Sequence, residues 1–343
     1  MISNMKKKKK KFTPFIVVAA VFIILVYYVF FSAITFDDRN QYIYIDNNDN
    51  IDSVYVKLND VTTMPQMLGF KLLATCTSYP EKIRTGRYEI EKGNGVLSLY
   101  RKMRSGIQAS VSLTMPSVRT IDRLAGFLSE KLMIDSLSFY RSLTDTATCA
   151  KYGYTPETMI CMFIPNTYDI YWNTSLDKFL EKMSKENRKF WNFERTQKAK
   201  AINLTKEEVM TLASIVDEET ANNDEKPMIA GMYINRLKAG MPLQADPTIK
   251  FALKDFKLKR IYHNMLSVKS PYNTYKNTGL PPGPIRIPSI AGIDAVLNHI
   301  HHDYMYMCAK EDFSGTHNFA KTYEEHLLNA AKYSKALNRK GIE

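Results

Sequence analysis

The sequence predicts an α+β protein: one N-terminal transmembrane helix, a small α+β module, then a larger mixed α+β domain. Three observations carry that reading. An uncharged apolar run occupies Phe12 to Ile34. Short alternating runs such as "YIYI" and "TGRYEI" are interleaved with helix-like segments over residues 40–115. Beyond residue 116, segments of helical period dominate and are separated by loops rich in Pro, Gly and Asn. The 343 residues, 45% of them hydrophobic, suffice for about two domains after the first segment is set aside.

The N-terminal run spans 23 residues, close to the roughly 20 that cross a bilayer as a helix. Lys6 to Lys11 stand directly before it. Positive charge flanking a span stays in the cytoplasm, so residues 1–11 read as a cytoplasmic basic segment and 12–34 as the span. A cleaved signal peptide would have an apolar region of only about 7–15 residues. This one is longer and ends in "FFSAITFDD", which favours an uncleaved anchor with the rest of the chain outside the cytoplasm. The formal charge is +12, from 47 basic and 35 acidic residues. Removing the six-lysine run leaves a mild +6, which fits ordinary solvation better than a polyanion site. Basic–aromatic motifs for nucleic acid are missing, so no nucleic-acid partner is expected.

Over residues 40–115 the pattern is strand–helix–strand–helix–strand. "YIYI" and "SVYVKL" read as strands, "MPQMLGFKLLATC" as a helix and "TGRYEI" as a strand. "GVLSLYRKMRSG" reads as a helix closed by Gly106, and "ASVSLTMPS" as a strand. Residues 116–343 form the second domain. It is mostly helical to Phe193, interrupted by the aromatic loop "CMFIPNTYDIYWNTS". Thr205 and Glu208 make a T-x-x-E capping box before the apolar residues Val209, Leu212, Ala213 and Val216. A helix through "KPMIAGMYINRLKAG" stops at Gly240. Irregular stretches follow, "MPLQADPT" and "SPYNTYKNTGLPPGPIRIPS", too apolar and aromatic for disorder and long enough to be functional. "SIAGIDAVLNHI" reads as a helix, "DYMYMCA" as a strand and "YEEHLLNAAKYSKAL" as a C-terminal helix.

Chemistry concentrates at the end of the Thr205 helix, in "ASIVDEETANND". At about 100° per residue, Glu218 falls opposite the apolar stripe and Asp217 at its edge. Glu219 falls beside Leu212, Ile215 and Val216, toward the packed face. A carboxyl group desolvated there keeps its proton near neutrality, as a general acid for glycosidic cleavage must. The wheel leaves a second reading open, a helix-end acid paired with Arg236. Downstream loops supply amides, hydroxyls and aromatic faces that suit sugars: Asn235, Arg236, Gln244, Asp246 and Thr248, then Tyr272, Asn273, Thr274 and Tyr275. The same residue types also serve turns. His317 follows a Gly turn, where a structural histidine is the commoner case. Cys76, Cys149, Cys161 and Cys308 lack metal spacing, and none of the six His forms HExxH, so no metal is expected. Cys149 and Cys161 are the one near pair that could bridge, but small buried thiols are the simpler reading.

Four segments, in order, carry a resemblance: "LASIVDEET", "YINRLKAGMPLQADPTI", "SPYNTYKNTGLPPGPIRIPS" and "GTHNFAKTYEEH". They look like the signature segments of the endolytic murein transglycosylases, the MltG or YceG-like family. "FIPNTY" resembles that family's P-x-T-Y loop, and "IRTGRYEI" its strand in a LysM-like module, here residues 40–115. The resemblance implies that residues 116–343 are the catalytic domain and that Glu219, the second Glu of E-x-E-T, is the catalytic acid. Asp217 stands where the family has its first Glu and becomes a candidate helper. Gln244, Asn273, Tyr275 and His317 become candidates for stabilising oxocarbenium-like charge. The implied reaction is cleavage of the MurNAc-β-1,4-GlcNAc bond within nascent glycan strands, leaving 1,6-anhydro-MurNAc ends and terminating elongation, without metal or organic cofactor. The implied setting is a single pass through the bacterial cytoplasmic (inner) membrane, with peptidoglycan strands as substrate and cell-wall synthases as partners. The rival reading is a non-catalytic glycan-binding anchor or scaffold of the wall-synthesis machinery.

Overall fold

The first residues to settle into strands are those with strict apolar alternation. In the computed structural model, which describes residues 9–258 and 260–339, β1 (Gln41–Ile45) and β2 (Gly86–Ile90) pair antiparallel. Gln41 lies opposite Ile90 and Ile45 opposite Gly86. Ile43, Ile45, Tyr88 and Ile90 point into one core, as a two-residue period requires. Between the strands come α2 (Ile51–Asn59) and α3 (Met64–Cys76), with a short 3-10 turn at Tyr79–Lys82. After β2 comes α4 (Val96–Ser105), closed by Gly106 at a φ of 72°. The centre of this core is aromatic: the Phe70 ring meets Tyr100 at 5.4 Å and Tyr79 at 5.8 Å, edge to face.

The segment "SVYVKL", expected as a strand, is helical in α2. Asn50 accepts from the Ser53 amide at 2.9 Å, and the Ser53 hydroxyl answers toward the Asn50 amide. That capping box and the four-residue spacing of buried Val54 and Leu58 override the β-branched composition.

The helix expected over 12–34 is α1 (Lys9–Phe30). It stops four residues early because the chain there is claimed by the module. Ile34 donates its amide to the Asn94 carbonyl at 2.9 Å, and Gln66 Nε2 reaches the Ala33 carbonyl at 3.0 Å. Among the described residues, no helix is long and apolar enough to cross a membrane, so the expected span is not reproduced as drawn. Lys6 to Lys8 lie outside the described residues. The described side chains of α1 from Phe15 to Tyr28 are largely apolar and exposed.

The chain divides into two compact units. The first is Met1–Ser112 with Lys131–Met133 and Asp169–Ser175, and the second is Leu113–Glu130, Ile134–Tyr168 and Leu176–Glu343. β3 (Ser110–Thr114) pairs with β4 (Thr167–Tyr171), a strand inside the aromatic stretch expected as loop. The second unit carries α5 (Ile121–Lys131), α6 (Ser136–Thr144), α7 (Thr146–Lys151), α8 (Leu176–Phe190) and α9 (Phe193–Ala201). Then follow α10 (Lys206–Glu219), α11 (Lys226–Lys238), α12 (Asp246–Leu253) and α13 (Ile290–Leu297). The chain closes with the hairpin β5 (Tyr306–Ala309) and β6 (His317–Ala320), then α14 (Tyr323–Arg339). α12 begins within "MPLQADPT", a stretch expected as irregular; Pro247 in its first turn is tolerated there, where no amide donor is needed.

Three helices form the core that carries the site. Val209, Leu212, Ala213 and Val216 of α10 pack with Ile229, Ala230 and Tyr233 of α11 and with Ile293 and Val296 of α13. Gly231 lets the chain at Ile300 approach α11 closely; a Cβ there would sit 2.3 Å from the Ile300 carbonyl oxygen. That approach brings His302 within 2.9 Å of the Met228 carbonyl and leads the chain into the β5–β6 hairpin. Cys76, Cys149, Cys161 and Cys308 are all free thiols, so the pair considered as a bridge is not one. Cys149 is buried and hydrogen-bonds to the Leu143 carbonyl.

Candidate functional site

The site begins with the start of α10. Thr205 Oγ1 accepts from the Glu208 amide at 3.1 Å, and Glu208 returns an acceptor to the Thr205 amide at 2.8 Å. This fixes the register of the helix, and therefore which way its last three acids point. Each acid goes somewhere different.

Asp217 turns into the protein and pairs with Lys226 Nζ at 2.7 Å, both side chains less than a tenth exposed. It also accepts from the Ser289 hydroxyl at 2.9 Å and from the Ser289 amide, at the cap of α13. The fit is tight, since a Cβ on Gly292 would lie 2.5 Å from Asp217 Oδ1. So Asp217, the candidate helper, has its carboxylate committed to tying α10 to α11 and α13. Glu218, expected to face outward, is 11% exposed at its side chain and held by two guanidinium groups. Arg119 grips it through Nε at 2.9 Å and Nη2 at 2.8 Å, and Arg286 adds Nη1 at 2.9 Å. The wheel located Glu218 relative to one apolar stripe; a second surface of polar chain covers the other side of the helix.

Glu219 faces an open cleft of about 530 Å³. Tyr233 of α11 donates its hydroxyl to Glu219 Oε1 at 2.7 Å. Burial pushes the Glu219 pKa up to about 7; the Tyr233 hydrogen bond opposes this, and the Asp246 charge adds to it. Burial also drives the Tyr233 hydroxyl well above its ordinary value, so it stays a donor. With Oε1 accepting from Tyr233, a protonated Glu219 carries its hydrogen on Oε2. The cleft is also lined by Gln244, Asp246 and Tyr275, by Met307 to Ala309 of β5, and by His317, Tyr323 and His326. Tyr275 donates its hydroxyl to Asp246. Gln244 holds a left-handed backbone at a φ of 52°, and its amide is fixed by the Thr274 carbonyl at 3.0 Å.

The sugar-contact candidates thus separate into two groups. Glu219, Arg236, Gln244, Asp246, Tyr275 and His317 line the cleft. Arg236 is nonetheless spent on scaffolding: it is buried and donates to the carbonyls of Met305 at 2.6 Å and Leu243 at 2.7 Å. Asn235, Thr248, Tyr272, Asn273 and Thr274 do not reach the cleft wall. Asn235 Nδ2 serves the carbonyls of His302 and Tyr304 at 2.6 and 3.1 Å. Asn273 Nδ2 serves those of Leu266 and Val268, and its Oδ1 takes the Tyr275 amide at 3.0 Å. Thr248 and Thr274 bond each other at 2.8 Å, fully buried, and Tyr272 packs against Phe251 at 4.7 Å. These residues shape the loops that present the cleft. Asn273 therefore cannot stabilise charge in the cleft directly.

Sequence reasoning missed Tyr233, although it opens the quoted segment "YINRL". It also missed Glu225, which holds His317, and the cleft residues Tyr323 and His326 within "KTYEEH". The signal for Tyr233 was weak: it lies seven residues from Lys226 and three from Arg236 on a helix whose apolar face made it read as core. Among the described residues, no group of three His, Cys, Asp or Glu converges as metal ligands would.

The sequence profile of the YceG-like family matches residues 43–332. A Bacillus subtilis protein named endolytic murein transglycosylase is 29% identical over 273 residues, covering 75% of each chain. A protein of the same name from Streptococcus pneumoniae is 26% identical over 320 residues, 84% of this chain and 57% of that one. A solved yceG-like protein from Listeria monocytogenes matches with a TM-score of 0.56 at 24% identity, covering 85% of this chain and 99% of the other; that likeness speaks to the fold.

Two outcomes follow from the geometry. Asp217→Asn leaves Lys226 without its counter-charge, and breaking a buried pair from one side costs on the order of 3 kcal/mol or more; denaturant unfolding measures it. Glu219→Gln acts with the opposite sign. The folded pKa of Glu219 is raised from 4.5 to about 7, so the folded state binds the proton more tightly than the unfolded chain. The stability this gives is full below about pH 4.5 and is lost as pH rises through 7. The glutamine variant never ionises. It is more stable than the parent by on the order of 2–3 kcal/mol at pH 8 and indistinguishable from it at pH 4, read as a pH-dependent Tm difference.

Proposed function

The chain belongs to the YceG-like family, and from that premise we propose that it is an endolytic murein transglycosylase acting within peptidoglycan glycan strands. The observation that carries the reading is Glu219. It stands in an open, polar cleft with its carboxyl desolvated, hydrogen-bonded on one oxygen and poised to hold a proton near neutrality.

The chemistry needs one acid–base group. Glu219 Oε2–H gives its proton to the glycosidic oxygen as the C1–O4 bond breaks, and GlcNAc departs with a free 4-hydroxyl. The C6 oxygen of MurNAc closes on C1, and its proton goes to the Glu219 carboxylate. The product is a 1,6-anhydro end, no water is consumed, and the acid is restored. The carboxylate formed in the first half also faces the positive charge developing at C1, and Asp246 adds a second carboxylate to the cleft lining. Gln244, Tyr275 and His317 offer an amide, a hydroxyl and an imidazole to sugar groups from fixed positions. No step calls for a metal or organic cofactor.

The setting is part of the same proposal. The Lys run and the exposed apolar residues of α1 support a single-pass anchor in the bacterial cytoplasmic membrane, with the N-terminus in the cytoplasm and the cleft outside it. The β1–α2–α3–β2 order with antiparallel strands supports the likeness of the first unit to a LysM module. A cleft so placed meets glycan strands as they leave the membrane, where cell-wall synthases are the natural partners.

Purified peptidoglycan digested by the protein yields fragments with 1,6-anhydro ends, identified by mass. Glu219→Gln lowers the rate by about 10²–10⁴-fold, the range for loss of a general acid. The rate is highest below pH 7 and falls tenfold per pH unit above it, following the protonated fraction of Glu219. Reducing ends carrying water, or a variant as active as the parent, would refute the mechanism.

A further inference from the structure

We infer that Glu225 is a positioning residue that fixes His317 in one tautomer and makes it a hydrogen-bond acceptor toward the glycan. The inference rests on the functional reading above and adds a residue to it. Glu225 caps the N-terminal end of α11, and its side chain is 7% exposed. Its carboxylate takes two donors from one residue. The His317 backbone amide reaches Oε1 at 2.6 Å, and the His317 ring nitrogen Nδ1 lies 3.1 Å from Oε2. The backbone amide can only donate. An ionised carboxylate can only accept, so the second contact requires the ring hydrogen on Nδ1. When the ring is neutral, Nε2 then carries its lone pair.

Two contacts from one carboxylate fix both the main chain of His317 and the turn of its ring. His317 lines the same cleft as Glu219. With Nδ1 committed to Glu225, Nε2 is the ring atom left for the cleft. The other polar groups there are the Gln244 amide, the Asp246 carboxylate, tyrosine hydroxyls, the Cys308 thiol and the His326 imidazole, and Arg236 has its guanidinium taken by loop carbonyls. A neutral acceptor suits a ligand rich in donors, and murein glycan offers hydroxyl O–H and acetamido N–H groups. Without Glu225 the ring can place its hydrogen on Nε2, and that atom would then repel the same donors. The effect is directional and specific to the ring, unlike a general loss of packing.

The experiment combines a spectroscopic and a kinetic arm on the full chain. Nitrogen-15 histidine spectra, with the His317 signals assigned by their absence in His317→Gln, report the tautomer without any substrate. We expect the Nδ1–H form in the parent and in Glu225→Asp, and a mixture or the Nε2–H form in Glu225→Ala. In the digestion assay, Glu225→Ala and His317→Gln each lower kcat/KM by on the order of tenfold to a hundredfold. The double variant is no slower than His317→Gln alone, because Glu225 acts through His317. Glu225→Asp recovers part of the rate. Two results overturn the proposal: a hydrogen on Nε2 in the parent, whether as the Nε2–H tautomer or as the imidazolium, or losses that add in the double variant, which would mark Glu225 as purely structural. Should the parent cleave no peptidoglycan while the tautomer is as expected, the functional reading fails and the positioning of His317 stands.

Discussion

The structure turns on keeping one carboxyl group where water solvates it poorly. A lone carboxylate in such a place is costly, and the usual remedy is a cation. Around Glu219 the remedy is a neutral donor instead. Tyr233 supplies a hydrogen bond without supplying charge; it draws the pKa down by less than burial raises it, so the proton is still held near neutrality. Three nearby cations are assigned elsewhere, Lys226 to Asp217 and Arg119 and Arg286 to Glu218, and the pull of Lys250 on Glu219 is smaller than the effect of burial. Three adjacent acids therefore end in three electrostatic states, because each meets a different partner.

Much of that sorting is done by α11. Along one face and both ends it carries Glu225, which holds His317; Lys226, which holds Asp217; Tyr233, which holds Glu219; and Arg236, which holds the carbonyls of Leu243 and Met305. A single rigid helix thus references four parts of the cleft to one another. The buried Asp217–Lys226 pair is better understood as a device for registry than as a source of stability, since its attraction is offset by the cost of desolvating two charges. The loop residues add to the same rigidity. Asn273, Thr248 and Thr274 satisfy backbone groups that would otherwise be buried and unpaired, which keeps a long irregular segment in one shape.

How much was legible follows from the range of the interactions. Local signals read well: the Thr205 capping box, the alternation in "YIYI" and "TGRYEI", and the Gly106 and Gly240 stops all stand in the structure. The wheel placed Glu219 on the packed side because that depends on α10 alone. It misplaced Glu218 because the covering arginines arrive from residues 119 and 286, far along the chain. Asn235, Asn273 and the two threonines had the right chemistry for sugars. Nothing local distinguishes an amide aimed at a ligand from one aimed at a backbone carbonyl. Tyr233 and Glu225 were missed for the same reason, since their meaning lies in partners 14 and 92 residues away.

The central claim is that burial, and not a nearby cation, sets the protonation of Glu219. A direct titration tests it: carbon-13 chemical shifts of the glutamate side-chain carboxyls across pH 3 to 9, with Glu219 assigned by its loss in Glu219→Gln. The account predicts a midpoint at about 7, far above the 4.5 of a solvated glutamate. A midpoint at or below that ordinary value would show Glu219 ionised at neutrality and would contradict its role as the acid.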